Sequence, residues 1–510
     1  SSYGVANMIV NRYRWLSNTP RAHITNQRTM EVLRDLGPNV EAEAMMHASP
    51  QELMGENVFC ESLAGEELGR MKSWGTAPLS KAEHLLSSPC LMNDLPQTFM
   101  EPILFKSACA RGTQARMSTE YVSHVQDAGG VTTTCRDRLS GKHFTVQSKF
   151  LVGADGGNSL VAEHLGLPLE GKMGVGGSMN ILFRADLSKY VAHRPSVLYW
   201  VMQPGADVGG IGMGLVRMVR PWDEWLIVWG YDINQPPPEV TPELATSVAR
   251  QLVGDPALEI ELLGANTWTV NNCFATHMHK GRVFIMGDAA HRHPPSNGLG
   301  SNTSIQDGFN LAWKLAKVVK EQAGLGLLDS YSPAAEAQRE ALRKAIAFKK
   351  YEFDAHGIEM NQRYVSGAVV TDSQGEPAFE KDRELHYAPT TWPGARLPHV
   401  WVFERSGRKV STLDLCGHGE FTLLTGIGGE PWVAAAEMVG AELGLPIRTH
   451  VIGPRRAIED HGGDWADARE VRDAGCLIVR PDHHVAWRSR TLVAHPAAEL
   501  RRVFKSVLAR

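Results

Sequence analysis

The chain has 510 residues, 43% of them hydrophobic, with 49 glycines and 28 prolines, which is too long for one ordinary core and predicts two or three globular α/β units. A formal net charge of -4 argues against a nucleic-acid binder, and no run approaches the roughly 20 apolar residues that cross a bilayer. Seven scattered cysteines without a CxxC, and a start that lacks the signal-peptide pattern, predict a soluble protein of the reducing cytoplasm with no membrane partner.

In chain order, residues 5–10 read as a buried strand, 28–36 as a helix stopped by Gly37, and 99–110 as a further helix. Residues 144–155 read as two short strands that end in a tight turn, with a helix over 160–165. From 171 to 273 the texture changes. Short β-rich runs at 180–184, 197–202, 210–218 and 225–231 are separated by Gly and Pro, as in an antiparallel sheet inserted into the first unit. The α/β texture returns in a strand over 281–288. A long helix comes next, in which Ile305, Phe309, Ala312, Leu315 and Val319 recur at helical spacing. A second helix is expected over 332–364 and a polar linker over 372–396. A third, small α/β unit spans 397–510, with strands at 409–415, 476–479 and 485–488 and a closing helix at 497–507. The division expected is thus 1–170 with 274–371, an inserted 171–273, and 397–510.

The segment Gly287-Asp288-Ala289-Ala290-His291-Arg292-His293-Pro294-Pro295-Ser296-Asn297-Gly298-Leu299-Gly300-Ser301-Asn302 carries the most chemistry. An apolar strand delivers an acid into a glycine-containing loop that enters a helix. Free amides at a helix start suit a phosphate or a developing negative charge, and Asp288 suits a ribose or polyol hydroxyl. Gly298 and Gly300 let backbone approach a flat ligand. The plain alternative is a strand–loop–helix connection with a capping acid. Asp155-Gly156 alone is only a turn signal, and an arginine at a helix start, such as Arg28, is ordinarily a solvated surface residue. His291 and His293 stand at metal-ligand spacing, but no third ligand stands out and no metal site is expected. His483-His484 reads as a polar strand turn.

That segment, with Pro20-Arg21-Ala22-His23-Ile24-Thr25-Asn26-Gln27-Arg28-Thr29-Met30-Glu31, resembles the single-component FAD-dependent aromatic hydroxylases, in the branch of the phenol and chlorophenol monooxygenases. The resemblance implies a FAD-binding Rossmann-like α/β domain, an inserted, mostly antiparallel β substrate domain and a C-terminal thioredoxin-like domain. The last has no CxxC and is expected to be structural. By the resemblance Asp288 contacts the ribityl and pyrophosphate region, and Pro294 and Pro295 lie beside the isoalloxazine ring. The amides of Gly298, Leu299, Gly300, Ser301 and Asn302 face its pyrimidine edge. Asp155 and Gly156 match a motif that serves the FAD pyrophosphate and NADPH (or NADH) together. Arg28 is implied at the pyrophosphate, Gln97 at the ribityl chain, and Asn11 at the adenosine ribose, where an acid is usual. His23 stands where related phenol hydroxylases carry an aspartate acid–base, so it is either a base or a structural histidine.

The implied reaction is reduction of FAD by NADPH, addition of O2 to give a C4a-hydroperoxyflavin, and hydroxylation of a small phenol, 2,4-dichlorophenol for example, ortho to its hydroxyl. A larger aromatic or polyketide substrate, or a non-catalytic flavoprotein, are the alternatives, and a homodimer or homotetramer is implied. Such enzymes open with a strand and a GxGxxG turn, which this sequence lacks. Roughly 25 to 30 preceding residues are expected in a longer gene product, the other reading being a truncated form that holds FAD poorly.

Overall fold

The computed structural model describes residues 1–203, 214–295, 298–331 and 355–510. Local chemistry starts its elements. Helix Gln27–Leu36 opens where the Asn26 side chain accepts the Thr29 amide at 2.9 Å. It stops at Gly37, whose φ of 131° turns the chain directly into helix Pro38–His47. Helix Leu160–Leu165 is capped by Ser159, and helix Gln97–Ala110 begins two residues before the expected start.

The parallel sheet of the first unit lies in two hydrogen-bonded pieces. Met8–Val10 runs parallel to Gln114–Arg116, and Leu151–Gly153 runs parallel to Val283–Ile285, with His279–Lys280 antiparallel at the edge. A separate antiparallel sheet joins Thr119–Gln126, Val131–Asp137 and His143–Ser148.

Among the described residues the inserted sheet has eight strands, in the order His291–Arg292, Glu261–Ala275, Leu169–Arg184, Glu224–Tyr231, Gly214–Arg220, Leu198–Val201, Glu56–Cys60 and Glu67–Lys72. It therefore draws strands from well outside 171–273. Of the expected run 210–218, residues 210–213 lie outside the described residues. Helix Pro242–Val253, capped by Thr241, seals one face through Ala245, Val248, Ala249, Leu252 and Val253 against Met179, Ile181, Phe183 and Trp225. Burying such large apolar side chains stabilises by about 1.5–3 kcal/mol each.

Helix Leu299–Val319 is a wall shared by two cores. Leu311 packs with Val283, Phe284 and Ile285, while Trp313 packs with Phe421, Trp432 and Phe504. The expected single stripe is corrected accordingly: Ala312 is exposed, and Trp313, Lys314, Ala316 and Lys317 are buried. A helix packed on two sides does not show one apolar face. Residues 332–354 of the expected second helix lie outside the described residues, and its remainder holds the short helix His356–Met360.

In the C-terminal unit Phe421–Thr425 runs parallel to Ile447–Val451 and antiparallel to Cys476–Val479, which pairs with Val485–Ser489. Helices Glu430–Leu443 and Pro496–Val507 pack on this sheet. The expected strand 409–415 shortens to Lys409–Ser411. The polar segment 372–396 has no helix or strand, yet residues 390–400 are buried throughout. Arg396 ties it to the first helix: its Nε and the Arg28 Nη1 both lie 2.9 Å from Glu31 Oε2, and Ser88 donates to Glu31 Oε1 at 2.6 Å. Burial alone would raise the Glu31 pKa, but Arg396 and Arg28 hold it at about 2. The turn at His483-His484 is polar as expected but buried, with His483 beside Asp35 and His484 Nδ1 donating to the Asp482 carbonyl.

Candidate active site

Strand Val283–Ile285 leads into a single helical turn, Gly287–Ala289, that presents Asp288. Its carboxylate is exposed and has no hydrogen-bond partner among the described residues. The loop passes Pro294, half-buried, and Pro295, exposed, and enters helix Leu299–Val319 at Gly298 with φ 61°; Ser296 and Asn297 lie outside the described residues. Among the described residues no side chain caps this helix; the amides of Leu299, Gly300 and Ser301 have no acceptor within it, and they lie at the positive end of its dipole. A Cβ on Gly300 would meet nothing within 4 Å, whereas one on Gly298 would lie 3.4 Å from Ile24. Open space over unpaired amides accommodates a flat ring that takes on negative charge, and these residues fit FAD. The Asn302 side chain does not face that space: it accepts the Asn26 amide at 3.0 Å and donates to the carbonyls of Ile24 at 2.8 Å and Gly298 at 2.7 Å.

Two motifs meet here. Asp155 accepts the Ser159 hydroxyl at 2.5 Å and the Val161 amide at 3.2 Å, and Gly156 has φ 82°. Arg292 bridges this turn to the other, donating from Nε to the Asp288 carbonyl at 3.2 Å, while the Cβ position of Gly157 is 3.4 Å from the same nitrogen. His291 Nε2 lies 2.6 Å from Asp307 Oδ2, which also takes the Gly287 amide at 3.0 Å. Burial opposes a charge on His291, but Asp307 raises its pKa. His293 stacks on it with centroids 4.9 Å apart, and burial lowers the His293 pKa to about 3. The pair supports the loop backbone.

His23 sits where three parts of the chain converge. Its neighbour Ile24 touches the helix-start loop, and Ile24–Thr25 pairs with Asn93–Asp94. Strand Gly214–Arg220 of the inserted sheet sends Arg217 to the carbonyls of Pro20 and Arg21. His23 Nδ1 is 2.7 Å from Asp94 Oδ1, and Ser49 Oγ donates to Asp94 Oδ2 at 2.6 Å. The histidine side chain is 14% exposed and Asp94 fully buried. Among the described residues His23 Nε2 has no hydrogen-bond partner. Burial and the Arg217 charge together lower the His23 pKa to about 4, against the pull of Asp94. The imidazole is therefore neutral at neutral pH. Because a carboxylate only accepts, Nδ1 carries the proton and Nε2 presents a lone pair.

Other expected residues fall elsewhere. Arg28, 2% exposed, donates to Glu31 and to the Asp482 carbonyl and lies over the Phe309 ring. Its guanidinium is held by Glu31, the acid three residues on. Gln97 donates its amide to the Ala22 carbonyl at 2.8 Å, beside the His23 strand, and its side chain to Glu101 at 2.5 Å. Asn11 lies just past Met8–Val10 and shapes an exposed turn by accepting the Tyr13 amide at 3.1 Å. Asp94, Ser49 and Arg217 were not singled out from sequence. The one signal was a charge interrupting an apolar run, in Met92-Asn93-Asp94-Leu95 and Leu215-Val216-Arg217-Met218.

An α/β fold with an inserted sheet, two glycine–acid turns and an uncapped helix start defines a flavin-dependent oxidoreductase. The family described as FAD binding domain matches residues 1–345, and that described as aromatic-ring hydroxylase, C-terminal, matches residues 390–510. The chain belongs to the single-component FAD-dependent aromatic hydroxylases, enzymes that use FAD and NAD(P)H to hydroxylate phenolic rings. It is 50% identical to a 2,4-dichlorophenol 6-monooxygenase of Cupriavidus pinatubonensis over all of this chain and 93% of the relative. To a phenol 2-monooxygenase of a Pseudomonas species it is 44% identical over 98% and 88% of the two chains. The solved structure of the flavin-dependent monooxygenase PieE with FAD and substrate superposes with a TM-score of 0.92, at 37% identity over 100% of this chain and 95% of that one. For aklavinone-11 hydroxylase with FAD and aklavinone the TM-score is 0.88, at 31% identity over 100% and 95%. Among the described residues no helix is long and apolar enough to cross a membrane.

Proposed function

We propose that the substrate is a small phenol, first of all a chlorophenol such as 2,4-dichlorophenol, hydroxylated ortho to its hydroxyl. One phenol, one O2, one NADPH and one proton give one catechol, one water and NADP. The observation that supports this most is His23, anchored at Nδ1 by buried Asp94, with Nε2 free of any hydrogen-bond partner among the described residues. Nε2 accepts the phenol O–H, and drawing that proton away enriches the ortho carbon. A phenol pKa of about 10 against about 4 for His23 leaves a gap of about 8 kcal/mol to full transfer. His23 alone therefore polarises the O–H of an ordinary phenol, and ring chlorines, which make the hydroxyl more acidic, narrow the gap.

Bound FAD, reduced by NADPH, supplies the activated oxygen. Asp288 would hold the ribityl and pyrophosphate region, with Asp155, Gly156 and Gln97 beside it and Asn11 at the adenosine ribose. Pro294 and Pro295 would flank the ring, and the amides of Leu299, Gly300 and Ser301 would face its pyrimidine edge. In this reading 171–273 forms most of the substrate domain and 397–510 a thioredoxin-like domain of structural role, in a cytoplasmic homodimer or homotetramer. The likeness to aklavinone-11 hydroxylase supports a second reading, a larger fused-ring phenol.

The test is NADPH consumption and product analysis on the flavin-loaded protein with 2,4-dichlorophenol, phenol and aklavinone in turn. Consumption triggered by the chlorophenol, with one catechol formed per NADPH, is expected. Turnover with aklavinone alone would replace the first reading by the second, and turnover with none would remove both.

A further inference from the structure

Asp94 is held from every side. Its backbone carbonyl accepts the Ser49 amide at 2.8 Å, Ser49 Oγ fixes one carboxylate oxygen, and His23 Nδ1 lies on the other. Behind it stands Arg217, Nη2 to Oδ1 at 3.9 Å, itself 2% exposed. One Arg217 nitrogen is engaged by the carbonyls of Pro20 and Arg21; its Nε and Nη2 are buried without a hydrogen-bond partner among the described residues. Burial lowers the arginine pKa only to about 10, so it stays charged. Burial alone would raise the Asp94 pKa, but His23, Arg217 and Ser49 bring it below the usual value, so the carboxylate stays ionised.

At rest Asp94 and Arg217 cancel and His23 is neutral. A proton taken from water would leave one unbalanced positive charge in a buried site, which is unfavourable. A proton taken from a bound phenol leaves the imidazolium beside the phenolate, and the whole stays neutral. The site is thus built to draw on the proton of its substrate and not to take one from solvent. The cation comes from the inserted sheet and the anion from the first unit, so both units are needed to set the balance.

We propose that Asp94 and Arg217 are positioning residues for the hydroxylation: Asp94 fixes the His23 tautomer that accepts the substrate proton, and Arg217 keeps that imidazole unprotonated until a phenol arrives. This rests on the phenol reading of the site. Asp94 and Arg217 are the charges that act on His23.

The test measures ionisation of a bound chromophoric phenol, 4-nitrophenol, from difference spectra across pH on the flavin-loaded protein, beside single-turnover hydroxylation. In Asp94→Asn, similar in shape and uncharged, Arg217 is left unopposed, so the bound phenol should ionise at a pH lower by about one unit or more, while hydroxylation below that pH, where His23 must accept the proton, should slow by about tenfold or more, with KM and flavin content little changed. In Arg217→Met the effect should run the other way at the acid end. His23 would protonate in the free enzyme at higher pH, and the acid limb of phenol binding would move up. Asp94→Glu should restore part of the loss. An unshifted ionisation in Asp94→Asn while His23→Ala shifts it would overturn the proposal, as would losses in both variants that merely track lost flavin or a lowered Tm. Failure of the unaltered protein to bind or hydroxylate any phenol would instead strike the phenol reading itself.

Discussion

Replacing His23 by alanine removes the open Nε2 acceptor but leaves the supports of the flavin loop, which run through Ile24, Asn26 and Asn302. Hydroxylation of phenol should then slow by about 100-fold or more. The loss for 2,4-dichlorophenol should be smaller, since its hydroxyl gives up a proton more readily, and flavin content should not change. Single-turnover rates for the two substrates check this, and equal losses would count against proton acceptance at Nε2. His23 was singled out from the sequence by the family resemblance, yet its partners were not. Asp94 is 71 positions away, and Arg217 arrives from another sheet. No local pattern links them, because what joins them is a buried charge balance that exists only after folding.

At the scale of elements, the start of helix Leu299–Val319 is open because Gly298 and Gly300 leave it so. Among the described residues an alanine Cβ at position 300 meets nothing within 4 Å, and it sits in a helix, where it should stabilise the free protein by about 0.5–1 kcal/mol. The same methyl stands over the amides proposed to face the flavin. Gly300→Ala should therefore raise the Tm of the flavin-free protein slightly while weakening FAD binding, a pair of opposite effects read by calorimetry and by bound-flavin absorbance. An unchanged FAD affinity would place the ring elsewhere. An element with one dominant partner was legible from sequence: helix Leu160–Leu165 has the expected bounds. Legibility failed where an element serves two neighbours. Helix Leu299–Val319 packs on two cores and blurs its stripe, and the hairpin Glu56–Lys72 completes a sheet whose other strands lie far along the chain.

Across the whole molecule, acid should be destabilising well before carboxylates titrate. Burial foremost lowers the pKa of each of His23, His84, His399 and His484 to about 4, against about 6.5 in an unfolded chain. Between those values the unfolded chain binds protons that the native one refuses, so stability falls as pH drops from 6.5 to 4, by up to about 3 kcal/mol per histidine. His291, with its raised pKa, works in the opposite direction but is outnumbered, since burial lowers His293 as well. Glu31 adds a further loss only from about 4.5 down to about 2. A Tm clearly lower at pH 5 than at pH 7.5 is expected in calorimetry, and a flat profile would contradict it. The pairing of Glu31 with Arg396 also sets a clock, for the two residues are 365 positions apart. At about 5–20 residues per second, the acid is synthesised about 20–70 s before the second of its two arginines. Until then only Arg28 faces it, and full burial of the helix beside Met30 and Leu33 waits for the other cation. During synthesis, the first part of this protein is dried by nearly the last.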